Sequence, residues 1–218
     1  FEFFMSSFDE LSLKDAFANA IDISEVNQGQ LGDCYFLSAV AALAYSYPQF
    51  LYKLFKNYEY SKNGCYEIAL FIEGEWIIVV VDDKIPVTSN KTHPFLRPKD
   101  NAWPVLLEKA WAKVMMRSRT LKKEQPSEVL NIFTGMPSKS YDFKSGNADG
   151  AWKLINEFLD KGYLMCIASP KHSNSSRSTE FRNKGLAELH AYTLIKTVYF
   201  NANSHSDKPI RLVRLRNP

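Results

Sequence analysis

The chain has 218 residues, 45% hydrophobic, 14% aromatic and 23% charged, a composition that excludes disordered, collagen-like and coiled-coil classes and supplies a large core. Its formal net charge of +3 is scattered and forms no basic stripe, so a nucleic-acid partner is not expected. The three cysteines, Cys34, Cys65 and Cys166, are odd in number and far apart, which argues against a disulfide framework or zinc knuckle and fits a reducing, cytoplasmic setting.

No apolar run approaches the roughly 20 residues that span a bilayer. The opening Phe1-Glu2-Phe3-Phe4-Met5 lacks an initiator Met and the basic flank of a signal peptide, so both ends read as cut from a longer chain with further domains. In chain order, 33–47 reads as a helix with one apolar face (Leu37, Val40, Ala41, Ala44), Asp33 as its N-cap and Pro48 as its stop. The stretches 66–72 and 76–81 read as a hairpin around Glu73-Gly74-Glu75. A helix is expected over 101–117, with Pro104 in its first turn and Leu107, Ala110, Trp111 and Val114 as a buried stripe, and a satellite helix over 127–133. Of the four tryptophans, Trp76, Trp103 and Trp111 are expected in the core or along a cleft wall, and Asp82-Asp83 is expected as a charged strand exit.

The polar stretch 138–150 marks the best internal boundary. After it come a helix over 151–161, with Asp149 near its start and Gly162 as its stop, and strands over 163–168, 190–200 and 210–216. The segment 171–184 reads as a solvated loop, with a flap over the cleft as the second reading. The pattern is α+β: a helix-rich first part and a β-rich second part with a cleft between them.

The densest chemical signal is Gln28-Gly29-Gln30-Leu31-Gly32-Asp33-Cys34, a glycine-bracketed turn that delivers a cysteine to a helix N-terminus. Unpaired N–H groups and the positive end of the helix dipole favour a thiolate there. Gln28 is placed to offer a side-chain N–H beside the Cys34 backbone N–H to a developing oxyanion. The base must come from far downstream. His93 precedes a proline, His172 lies in the polar segment and His205 in an Asn/Ser-rich turn; His190 opens a hydrophobic strand. Asn217 ends the next strand, where its amide oxygen would hold one imidazole nitrogen while the other faces the sulfur. Cys65 and Cys166 read as structural.

These residues resemble the protease core of the calpain family. The resemblance rests on 28–37; on Gly74-Glu75-Trp76 running into 79–86; on Leu106-Leu107-Glu108-Lys109-Ala110-Trp111-Ala112-Lys113; on Phe133-Thr134-Gly135; on Gly185-Leu186 with His190-Ala191-Tyr192; and on 214–218. It implies a papain-like cysteine protease fold of two subdomains, 1–145 carrying the nucleophile and 146–218 carrying His and Asn. It also implies a cysteine endopeptidase acting on intracellular proteins and peptides, with Cys34 as nucleophile, His190 as base and acid, Asn217 as orienter and Gln28 as oxyanion donor.

No cofactor is needed for such chemistry. The family pattern implies calcium as an activator, with Glu25 and Glu128 at acidic ligand positions and Ala20 where glycine is usual. Tyr35, Met136 and Leu189 depart from the family pattern, the last replacing a glycine before the histidine, where a branched side chain is expected to narrow the cleft or forbid a positive φ. These departures motivate the alternative of a catalytically inactive calpain-like binding or regulatory domain; a transglutaminase-like acyl transfer is a third reading.

Overall fold

The computed structural model describes residues 3–7, 21–57, 61–88, 95–96, 101–117, 124–143, 147–171, 175–200 and 209–218. The elements are β1 (Phe3–Ser7), a 3-10 turn (Ile23–Glu25), α1 (Cys34–Ser46), α2 (Pro48–Leu54), β2 (Cys65–Ile72), β3 (Glu75–Asp82), β4 (Lys84–Thr88), α3 (Trp103–Arg117) and α4 (Pro126–Thr134). There follow α5 (Ala148–Asp160), β5 (Cys166–Ala168), α6 (Ser175–Asn183), β6 (Ala191–Phe200) and β7 (Ile210–Arg216). Helices and strands are both present, consistent with α+β, but the second part, expected to be β-rich, holds the helices α5 and α6 beside its three strands.

Helix α1 differs from its expected amphipathic form, because every residue from Phe36 to Ala44 is buried. A helix buried all round needs partners on every side. On one side Phe36 stacks on Trp111 of α3 with ring centroids 5.7 Å apart, and packs edge-on against Phe133 of α4. On another, the buried Thr193 of β6 donates its hydroxyl to the Ser38 carbonyl at 2.7 Å. Small residues at positions 39, 41, 42 and 44 let these neighbours approach closely.

The helix stops before Pro48, as expected, and a second helix starts there. Tyr47 ends α1 and serves as N-cap of α2, whose first residue is Pro48, where its missing N–H and fixed φ cost nothing.

The β2–β3 hairpin is closed by Glu73 (φ 51) and Gly74 (φ 92), the pair of left-handed residues that a tight hairpin turn demands. Cys65 pairs with Asp82 at its open end and Ile72 with Glu75 at its turn. Tyr66, Ile68, Leu70, Val79 and Val81 face the core, whereas Trp76, expected in the core or a cleft wall, is 49% exposed; Trp103 and Trp111 are buried. Asp82 at the strand exit pairs with Lys109. β1 and β4 form a second antiparallel pair, from Phe3 opposite Thr88 to Ser7 opposite Lys84.

The main core is one cluster drawn from α1, α2, the hairpin, α3 and α4, with Leu164 and Cys166 packed against its edge. The last sheet, in the order β5-β6-β7, is antiparallel throughout. Helix α5 begins three residues before its expected start: Asn147, not Asp149, caps it by accepting from the Gly150 N–H at 3.1 Å. α5 fully buries none of its residues and is tied to the sheet by Thr197 donating to Asn156 (2.7 Å) and by the Arg211–Asp149 ion pair. The segment expected as a loop over 171–184 instead holds α6, braced by the Lys184–Glu180 pair one turn apart.

Replacing Thr193 with Val keeps shape but removes the buried hydroxyl. We expect a loss of about 1 to 2 kcal/mol in urea unfolding. An unchanged midpoint would show that the α1–β6 contact is held by apolar packing alone.

Candidate active site

Cys34 is the first residue of α1 and is partly exposed. Asp33 occupies the N-cap position, but through its backbone: its carbonyl accepts from the Phe36 N–H (2.9 Å) and the Leu37 N–H (3.1 Å), while its carboxyl caps nothing. The expected side-chain cap is therefore absent; that carboxyl is coupled instead to the Glu108 carboxyl of α3. Gln28 is half-buried in the same turn. Its Nε2 donates to the Leu31 carbonyl at 2.6 Å and makes a long contact of 3.5 Å with Asp33 Oδ1. One of its N–H groups thus pins the turn, and the other is only weakly held.

His190 immediately precedes β6, and Asn217 immediately follows β7. Because β6 and β7 pair antiparallel, with Thr193 opposite Arg216, their outer ends coincide. His190 Nε2 lies 2.5 Å from Asn217 Oδ1. That oxygen only accepts, so Nε2 carries the proton and the neutral ring keeps its lone pair on Nδ1. The arrangement makes Nδ1 the atom able to take a proton. The strand that His190 opens is fastened to α1 by the Thr193–Ser38 bond, one helical turn past Cys34. The other three histidines, His93, His172 and His205, lie outside the described residues.

Two supports of His190 escaped the sequence reading. Ser169 clamps its backbone: the Ser169 N–H donates to the His190 carbonyl (2.8 Å), and the Ser169 hydroxyl accepts from the His190 N–H (3.0 Å) while donating to the Ala187 carbonyl (2.7 Å). Tyr192 packs edge-on against the imidazole with centroids 4.8 Å apart, and its hydroxyl accepts from the Ala187 N–H at 2.7 Å. Ser169 had no signal beyond lying at a strand end. For Tyr192 the signal was its alternation with His190, two positions apart and so on the same face of a strand.

A tether joins the two ends of the site, with Arg216 Nη2 donating to the Val26 carbonyl at 2.5 Å. Tyr35 bonds through its hydroxyl to the Trp111 indole N–H at 3.2 Å. Cys65 is exposed at the start of β2, while burial pushes the Cys166 thiol up to about 12, against a smaller opposing effect of its bond to Ser38.

Calcium requires six to eight oxygen ligands. Glu25 is buried and accepts from the Asn101 N–H at 3.1 Å, and Glu128 lies in the first turn of α4. Ala20 is outside the described residues. Among the described residues no three His, Cys, Asp or Glu side chains converge as a metal site would need. The two acidic positions do not by themselves make a calcium site.

Leu189 adopts φ 50, so the branched side chain tolerates the left-handed conformation it was expected to forbid. The strain of such a residue is about 1 to 2 kcal/mol, and the side chain, 67% exposed, recovers little of it by packing. Leu189→Gly is expected to raise stability by about 0.5 to 1 kcal/mol, the relief being partly offset by glycine's chain entropy. A loss of stability in denaturant titration would mean that the leucine packs more than its exposure implies.

The family described as "Calpain family cysteine protease" matches 8–218. The calpain-type cysteine protease ADL1 of Oryza sativa subsp. japonica is 31% identical over 210 residues, covering 93% of this chain and 9% of that protein. Calpain-8 of Homo sapiens is 32% identical over 200 residues, covering 89% of this chain and 28% of that protein. The chain thus spans less than a third of the length of either relative. With a match that runs through the cysteine turn, the histidine strand and the terminal Asn-Pro, the chain belongs to the calpain family of cysteine proteases.

Proposed function

We propose that this chain is the catalytic core of a cysteine endopeptidase, built as subdomains 1–145 and 146–218 with the cleft between them. The observation that carries the reading is the short His190–Asn217 hydrogen bond on a strand packed against the helix that Cys34 begins. Asn217 holds the ring in the tautomer whose Nδ1 can accept the Cys34 proton. The resulting thiolate attacks the peptide carbonyl carbon, and the C–N bond breaks as imidazolium returns its proton to the leaving amine. The oxyanion is met by the Cys34 backbone N–H and by the weakly held N–H of Gln28. Water, deprotonated by His190, then cleaves the thioester and restores the thiol.

These steps use protein groups only. Calcium's role as an activator is a separate proposal: heat and a gain of activity on calorimetric titration support it, and the absence of both removes it. Among the described residues no helix is long and apolar enough to cross a membrane. Protein substrates follow from the family chemistry, and further domains from the greater length of the relatives.

A second reading, a binding domain without turnover, rests on Leu189, whose exposed side chain stands directly before the histidine. Cleavage of casein decides between the two. We expect Cys34→Ala to abolish cleavage and His190→Ala to lower kcat by about 100-fold or more, with a smaller loss for Asn217→Ala. A peptide-directed thiol alkylator should label Cys34 well before Cys65 or Cys166. Equal labelling of all three, or a wild-type chain that binds peptides and cuts none, would favour the binding domain.

A further inference from the structure

The Asp33 and Glu108 carboxyls present a chemical contradiction if both are ionised. Glu108 is 4% exposed, on the buried stripe of α3. Its Oε2 accepts from the Leu96 N–H at 2.9 Å, and Asp33 Oδ1 receives the long contact from Gln28. The two remaining oxygens, Asp33 Oδ2 and Glu108 Oε1, are both buried, and neither meets a donor. Each carboxyl is the other's nearest electrostatic partner, and two ionised carboxylates so placed repel each other and lose their hydration without return. A single proton between them turns the contact into a charge-assisted hydrogen bond.

We propose that Asp33 and Glu108 share one proton at neutral pH and that this acid pair is a positioning device, locking the turn that carries Cys34 onto α3. Its bearing on Cys34 rests on the protease reading; the shared proton does not. Burial, then the hydrogen bond to Asp33 and its charge, pushes Glu108 up to about 9, and burial also raises Asp33. Among the described residues, the titratable groups beside the pair are Cys34, next in the chain, and Tyr35, whose phenol is raised by burial and then by the charges of Glu124, Asp33 and Glu128. Lys109, beside Glu108 in sequence, is occupied by Asp82 and by the carbonyls of Asp82 and Lys84. No cation therefore intervenes from that position to neutralise a second negative charge.

The sign of the pH dependence follows. A carboxyl whose folded pKa lies above its unfolded value of 4.5 holds its proton more tightly when folded, so its contribution is complete below 4.5 and is lost as pH rises through about 9. Loss of the proton would also set a second negative charge at the N-terminus of α1, where the dipole disfavours none but where the Cys34 thiolate is already required.

The test uses infrared difference spectroscopy, pH-dependent unfolding and the rate of Cys34 alkylation. A carboxylic-acid C=O band should persist at neutral pH, vanish as pH is raised through about 9 and be missing in Glu108→Gln. That variant supplies a permanent N–H donor to Asp33, so it should fold, keep the neutral-pH alkylation rate within about threefold and lose the alkaline fall in stability. Glu108→Ala strands the Asp33 carboxylate and should slow alkylation by about tenfold. Absence of the acid band at neutral pH, or an alkaline fall unchanged in Glu108→Gln, overturns the shared proton. If the band behaves as stated and Cys34 labels no faster than Cys65 in the wild type, the protease reading fails while the acid pair stands.

Discussion

Thr193 and Trp111 hold α1 from different sides, one by a hydroxyl on the Ser38 carbonyl and the other by a stacked ring on Phe36. A helix gripped in this way cannot rotate or slide without breaking a buried hydrogen bond or opening a void, and protein interiors tolerate neither cheaply. Its N-terminus therefore has a fixed place relative to both the aromatic core and the last sheet. Cys34 inherits that place as the first residue of the helix, and His190 inherits it through β6. The proposed site lies at the margin of this buried joint.

The second organising feature is the closure of β6 on β7. A histidine before one strand and an asparagine after its antiparallel neighbour must meet once the register is set, and the Arg216 tether to Val26 brings the end of that sheet to the turn containing Gln28. Ser169 and Tyr192 then hold the histidine's backbone and ring. The local rule that breaks is Leu189, left-handed and exposed. Strain of this kind persists where the surroundings over-determine the backbone, and here the Ser169 clamp on one side and the Tyr192 bond to Ala187 on the other do so.

Much of this was legible in the residues. The 3.6-residue spacing of α3 and the two turn residues of the hairpin are local signals, and both elements formed where they were expected. The juxtaposition of His190 and Asn217 was also readable, because it needs only two adjacent strands. What local pattern could not convey was the surroundings of each element. The spacing of Leu37, Val40, Ala41 and Ala44 implied one buried face, but small alanines and Ser38 are equally compatible with burial all round, which depends on β6 arriving from over 150 residues away. Asp33 looked like a side-chain cap because propensity treats it in isolation; its partner is 75 positions distant on α3. The serine-rich segment was read as a loop from composition, yet its Glu180–Lys184 spacing was a helical signal. Ser169 carried nothing in the sequence to separate it from any other serine at a strand end.

The protease account reduces to one geometry: a sulfur on α1 within proton-transfer reach of an imidazole held by Asn217. The most direct measurement is a crystal structure of the chain after reaction with a peptide-based covalent thiol inhibitor. The account predicts a bond from the inhibitor carbon to Cys34 Sγ, His190 Nδ1 within hydrogen-bond reach of the reacting centre, and Nε2 still on Asn217. An inhibitor attached to Cys65 or Cys166, or attached to Cys34 with the His190 ring beyond reach of it, would contradict the account.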